Sequence, residues 1–204
     1  PFKVNPPFVP REYNPTGAYR RTFTLPSSWK GDQVFLRMEK VASASFVWIN
    51  GEEVGYNEGA QEPVEYNITK YLHPGENAIA VHVVKYSDGY YLEGQDYWRL
   101  AGIFDDVCIY AAPSVRLFDW YVTTDLDETY ADAVLDLAID VKKYTDAPSG
   151  TYRIKANLLD TNRKLVKEMT SETFAVERKG KKQVVFKEQI VNPKKWTSET
   201  PNLY

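Results

Sequence analysis

Between Ser87 and Phe104 the chain gathers carboxylates, an amide, an arginine and five aromatic rings without any regular apolar period. The run reads Ser87-Asp88-Gly89-Tyr90-Tyr91-Leu92-Glu93-Gly94-Gln95-Asp96-Tyr97-Trp98-Arg99-Leu100-Ala101-Gly102-Ile103-Phe104. It separates two strand-like stretches yet is far too long for a hairpin turn. Long loops without regular structure tend to bind or catalyse. Aromatic faces beside carboxylates and amides suit a sugar, whose ring has an apolar C–H face and a rim of hydroxyls. A carbohydrate is therefore the first ligand to expect.

Not every polar residue in the run needs a chemical role. Glu93 lies three positions from Asp96, but neighbouring loop carboxylates usually brace the loop or face solvent, so a catalytic pair is not expected. Asp96 and Arg99 are spaced to pair with each other. Trp98 and Arg99 are expected to position the loop. The indole would anchor it against the core or a neighbouring domain, and the guanidinium would hold carboxylates or carbonyls across a domain junction. Cys108 lies in Asp106-Val107-Cys108-Ile109-Tyr110 and is expected to be a buried, inert thiol. His73 and His82 read as structural, which leaves little room for a histidine-based metal site.

Bulk composition narrows the partners. With 204 residues, 43% hydrophobic, 26% charged and a net charge of -3, the chain is an ordinary globular sequence. A mildly acidic balance gives no drive towards phosphate backbones or anionic lipid, so neither nucleic acid nor membrane is an expected partner. No stretch approaches the length of a membrane-spanning helix. The chain opens on Pro1-Phe2-Lys3, which reads as a cut from a longer protein and leaves the compartment open.

Apolar alternation with period two dominates, so the expected fold class is all-β. Strands are expected over 17–25, 33–41, 63–67, 77–85 and 107–111, with a hairpin over 45–56. Asn50-Gly51 sits at its tip, a pair that tolerates the positive φ of a type I′ turn. Ala111-Ala112-Pro113-Ser114 marks the boundary between a domain at 1–112 and another at 113–204. In the second, Ala133, Leu135, Leu137, Ile139 and Val141 share one face, and further strands are expected over 152–159, 164–176 and 181–191. The first domain reads as a jelly-roll sandwich and the second as an immunoglobulin-like β-sandwich without a disulfide.

Several motifs then carry a family resemblance. Val4-Asn5-Pro6-Pro7-Phe8-Val9-Pro10, Asn14-Pro15-Thr16-Gly17, Trp48-Ile49-Asn50-Gly51 and Val54-Gly55-Tyr56 come first. Ser87-Asp88-Gly89, Gln95-Asp96-Tyr97-Trp98-Arg99 and Gly102-Ile103-Phe104 follow in order. Together they resemble the galactose-binding-like domain of glycoside hydrolase family 2, and most closely its β-galactosidases of the LacZ type. Asn192-Pro193-Lys194-Lys195-Trp196 and Glu199-Thr200-Pro201-Asn202-Leu203-Tyr204 resemble that family's exit from its immunoglobulin-like domain. Residues 115–190 are generic, and Tyr97 stands where such enzymes often have methionine.

The resemblance implies a parent enzyme that cleaves terminal β-D-galactosides with retention, its catalytic glutamates lying in a C-terminal TIM barrel absent from this sequence. It implies substrate contacts by Asn5 and Asp96, with Asp96 also contributing to a sodium shell completed by the barrel, and magnesium elsewhere in the parent. Oxygen ligands suit such hard cations. The expected partners are a β-galactoside and the barrel. Relatives of this type form tetramers partly through these domains, so a homo-oligomer is among the expectations. The isolated chain is expected to be inactive and to bind no cofactor tightly. A stand-alone carbohydrate-binding module, a purely structural sandwich pair, or a β-glucuronidase or β-mannosidase parent are the rival readings.

Overall fold

The structure, a computed structural model, describes residues 5–93, 98, 100–148 and 150–204. The chain divides into two compact units, Pro1–Pro113 and Ser114–Tyr204. Nearly all regular structure is β-strand.

In the first unit the strands are β1 (Thr16–Thr24), β2 (Gln33–Met38), β3 (Val41–Ala42), β4 (Ala44–Ile49), β5 (Glu52–Asn57), β6 (Val64–Asn67), β7 (Glu76–Val84), β8 (Gly102–Ile103) and β9 (Val107–Ala112). A single helical turn, α1 (Gly89–Leu92), lies between β7 and β8. One sheet has the order β1-β7-β4-β5 and another β6-β2-β9, while β3 pairs with β8. Alternation does the assembling: Val34, Leu36 and Met38 of β2 meet Val47 and Ile49 of β4 and Val81 and Val83 of β7 in one buried cluster. The β4–β5 hairpin turns at Asn50 (φ 52°) and Gly51 (φ 86°), the positive angles a two-residue primed turn requires. Asn50 also caps the neighbouring loop, donating to the Tyr71 carbonyl at 2.9 Å and to Asn77 Oδ1 at 2.8 Å.

Two expectations for this unit need correction. Cys108 is exposed, not buried. On β9 it is Ile109 that faces the core, while Tyr110 stacks on Phe35 at 5.3 Å, so Cys108 falls on the outward-facing side opposite Arg37. The run from Ser87 to Phe104 is not wholly irregular either: α1 opens it, and Gly102–Ile103 closes it by pairing with Val41–Ala42.

The second unit contains β10 (Val115–Leu126), β11 (Ala133–Lys143), β12 (Thr151–Tyr152), β13 (Lys155–Leu159), β14 (Leu165–Thr170), β15 (Phe174–Ala175) and β16 (Lys181–Ile190). The sheet β10-β11-β16 buries Leu135, Ile139, Val141, Phe186 and Ile190 against Ile154, Met169 and Val176. Two expected long strands are each split. At the break the ladder is continued by a side chain: Ile154 N–H donates to Ser171 Oγ at 3.0 Å, and Ser171 N–H to the Ile154 carbonyl at 2.9 Å.

The twelve-residue strand β10 was not expected from the sequence. Its alternation is interrupted by a register shift between Leu117 and Asp119. Beyond the shift, Trp120, Val122 and Leu126 line an apolar groove of about 800 Å³ together with Leu137, Ile154 and Leu158. The groove is open, and Trp120 remains 68% exposed.

Candidate sugar-binding site

Of the site residues expected from the sequence, Asn5 and Trp98 are described; Asp96 and Arg99, and with them the Asp96–Arg99 pairing, lie outside the described residues. Asn5 opens a tight turn closed by the Phe8 N–H donating to the Asn5 carbonyl at 2.9 Å. Its side chain is exposed, as a residue offered to a ligand must be. Trp98 is 79% exposed and is therefore not packed into the core of its own unit.

What sequence reasoning missed is how the two segments of the site are tied together. Tyr91 Oη, on α1, donates to the Phe8 carbonyl at 2.8 Å and accepts the Asn5 N–H at 3.5 Å. Further along, the Asn14 amide donates to the Tyr86 carbonyl at 2.7 Å while its oxygen accepts the Tyr86 N–H at 2.9 Å. Asn14 stood inside a motif, but nothing local signals a partner 72 residues away.

The start of the loop is braced from below. Ser43 Oγ and Ser87 Oγ meet at 3.0 Å in a buried contact, and Ser43 Oγ also reaches the Val84 carbonyl at 3.1 Å. Asp88 accepts the Gly89 N–H at 3.2 Å at the start of α1. Glu93, as expected of a loop-bracing carboxylate, lies 3.4 Å from the Ala60 N–H through both oxygens. With the Tyr91 contact to Phe8, these contacts hold α1 against the loop after β5 and against the N-terminal arm.

Glu58 joins this neighbourhood. A hydrogen bond from Tyr56 works to lower its pKa, but burial and the adjoining carboxylates of Asp88 and Glu93 outweigh it, leaving Glu58 above the ordinary carboxylate range. Tyr56 is pushed up in turn, first by burial and then by Glu58. Among the described residues, no group of three or more His, Cys, Asp or Glu is arranged to hold a metal ion. At the far root of the loop, Leu100, Ala101 and Gly102 join Thr16, Tyr19 and Lys85 around a cavity of about 360 Å³.

One β-rich unit presents a cross-tied polar arm beside an aromatic-rich segment, and a second β-rich unit follows it. "Glycosyl hydrolases family 2, sugar binding domain" matches residues 1–113, and "Glycosyl hydrolases family 2" matches residues 115–204. The chain belongs to glycosyl hydrolase family 2.

Named relatives refine the comparison. The chain is 41% identical over 202 residues to a beta-galactosidase of Priestia megaterium, covering 99% of this chain and 19% of that protein. It is 40% identical over 208 residues to a beta-galactosidase of Pseudoalteromonas haloplanktis, covering 100% of this chain and again 19% of the relative. It thus spans about a fifth of the length of these relatives. Among solved structures, a Bacteroides uniformis beta-glucuronidase superposes with a TM-score of 0.85 at 24% identity, over 93% of this chain and 23% of that one. A family 2 member from Bacteroides cellulosilyticus gives 0.76 at 20% identity, over 92% of this chain and 25% of the other. At such identities the structural likeness speaks for the fold.

Proposed function

We propose that this chain is the N-terminal, non-catalytic part of a retaining β-galactosidase. It supplies one wall of the galactose site, and a C-terminal TIM barrel supplies the catalytic glutamates. The observation that carries this reading is the 41% and 40% identity, over essentially the whole chain, to two proteins named beta-galactosidase. Asn5 and Asp96 are the substrate contacts: an amide and a carboxylate exchange hydrogen bonds with the hydroxyls of the sugar. Trp98 and Arg99 position the loop. The exposure of Trp98 on its own unit suits an indole that packs on the barrel.

Asp96 also offers an oxygen to a sodium ion, a hard cation suited to such ligands. The remaining ligands, and any magnesium site, belong to the barrel. What this chain does for the reaction is orientation. A donor or acceptor accelerates bond cleavage only when it is held where the transition state needs it, and a cross-tied loop on a rigid sandwich does that. The glycosidic bond itself is broken by two carboxyls of the barrel, one acting as acid/base and one as nucleophile.

The test is turnover by the full-length protein of chromogenic β-galactoside, β-glucuronide and β-mannoside, beside the isolated 204-residue chain. Hydrolysis of the galactoside by the full-length protein alone is expected. Preference for glucuronide or mannoside would move the parent to another activity of the family. Sugar affinity of the isolated chain, measured by calorimetry, would instead favour a stand-alone binding module.

A further inference from the structure

The Asn5–Phe8 turn is spanned by one hydroxyl from a different part of the chain. Tyr91 Oη reaches the Phe8 carbonyl at 2.8 Å and the Asn5 N–H at 3.5 Å, so it touches both ends of the turn at once. A phenol can donate and accept together, which a donor-only or acceptor-only side chain cannot do. The Tyr91 ring is itself placed: it meets Tyr90 edge-on with centroids 6.1 Å apart, and Tyr90 meets Tyr86 edge-on at 4.9 Å. Tyr86 is the residue whose backbone Asn14 clasps. The stretch from Asn5 to Asn14 is therefore fastened to residues 86–91 at both of its ends.

We propose that Tyr91 is the positioning residue for Asn5. Its hydroxyl sets the turn from which the Asn5 side chain reaches the sugar, and couples that turn to α1, immediately before the segment that contains Asp96. The inference rests on the reading of Asn5 as a galactose contact. Without the hydroxyl the turn keeps its own bond from Phe8 to Asn5 but loses its tie to the sandwich. Part of the ordering of Asn5 would then fall to the substrate, which costs affinity.

The test is Tyr91→Phe in the full-length enzyme, which keeps the ring and removes only the hydroxyl. Hydrogen exchange at the Asn5 and Phe8 amides, the two N–H groups of the turn because residues 6 and 7 are proline, is expected to accelerate. The kcat/KM for a chromogenic β-galactoside is expected to fall by about two- to tenfold, the range of one modest hydrogen bond. In an Asn5→Ala background, Tyr91→Phe should produce no further fall, because the group it positions is gone. Equal losses in both backgrounds would show a merely structural role and overturn the proposal. Unchanged exchange at the Asn5 and Phe8 amides would overturn it as well. If exchange accelerates while Asn5→Ala leaves kcat/KM intact, the reading of Asn5 itself has failed and takes the role of Tyr91 with it.

Discussion

Asn14 grips the backbone of Tyr86 with both ends of its side-chain amide, donating to the carbonyl at 2.7 Å and accepting the N–H at 2.9 Å. The amide thereby imitates a rung of sheet just beyond the β1–β7 ladder, where the Lys85 N–H donates to the Pro15 carbonyl at 3.0 Å. Asn14→Ala leaves a partly buried N–H and C=O without these partners. It is expected to lower stability by about 1–3 kcal/mol, measured by urea unfolding. Asn14→Asp sets an acceptor-only carboxylate against the Tyr86 carbonyl and should be destabilising as well.

A second network lies at the opposite end of the same sandwich. Asn77 is 1% exposed. Its oxygen accepts the His73 N–H at 3.0 Å and an Asn50 Nδ2 hydrogen at 2.8 Å, and its nitrogen serves the carbonyls of His73 at 3.0 Å and Gly75 at 3.1 Å. Asn77→Ala would strand several of these groups away from water. A loss of about 3 kcal/mol or more is expected, since a stranded buried group costs about 1–3 kcal/mol. A loss below 1 kcal/mol in denaturant titration would mean that water replaces the missing amide.

Local rules account for what could be read from the sequence. Asn50-Gly51 announces its hairpin because few other pairs accept two positive φ angles in succession. Strict alternation in β7 and β11 likewise shows which face is inside. Cys108 was misread because an apolar strand sequence does not say which of its two faces is covered. β10 escaped because its register shift breaks the period and its apolar face lines an open groove. The site was legible only in part. Asn5 and Asp96 stood out by resemblance, whereas Tyr91 looked like one more aromatic of a sugar-facing loop. Its defining contact lies 83 residues away in sequence, beyond the reach of any local pattern.

That groove makes its own prediction. With Trp120 68% exposed and Leu117 60% exposed, the isolated chain presents a contiguous apolar surface. It is expected to enhance the fluorescence of an anilinonaphthalene dye under native conditions, and Trp120→Ser should cut that enhancement by more than half. An unchanged signal in the variant would place the dye elsewhere.

Asp127 is one of the carboxylates that tie the acid stability of the second unit to pH. Oδ1 accepts the N–H groups of Thr129 at 3.1 Å and Ala131 at 2.9 Å and the Thr129 hydroxyl at 2.9 Å, and Oδ2 accepts the Asp132 N–H at 3.2 Å. These bonds, that from Ala131 foremost, hold its pKa below the ordinary value. A depressed carboxylate contributes stability above its unfolded pKa, about 3.9, and loses it as pH falls through the folded value. Asp127→Ala should therefore lower the melting temperature at pH 7, and the gap to the native protein should narrow as pH falls below the unfolded value of about 3.9. A gap that persists in acid would assign the effect to loop geometry instead of charge.

Glu58 should behave in the opposite sense. Tyr56 on β5 favours its ionised form, but burial, Asp88 before α1 and Glu93 after it prevail, so folding raises its pKa. A carboxyl raised by folding contributes stability that is fully present below its unfolded pKa, about 4.3, and lost as pH climbs through the folded value. Glu58→Gln removes the ionisation while keeping a polar group beside Asp88. Relative to the native protein it should gain melting temperature at pH 7 and converge with it near pH 4. Parallel melting curves from pH 4 to 8 would show that the carboxylates around α1 are too well solvated to repel one another.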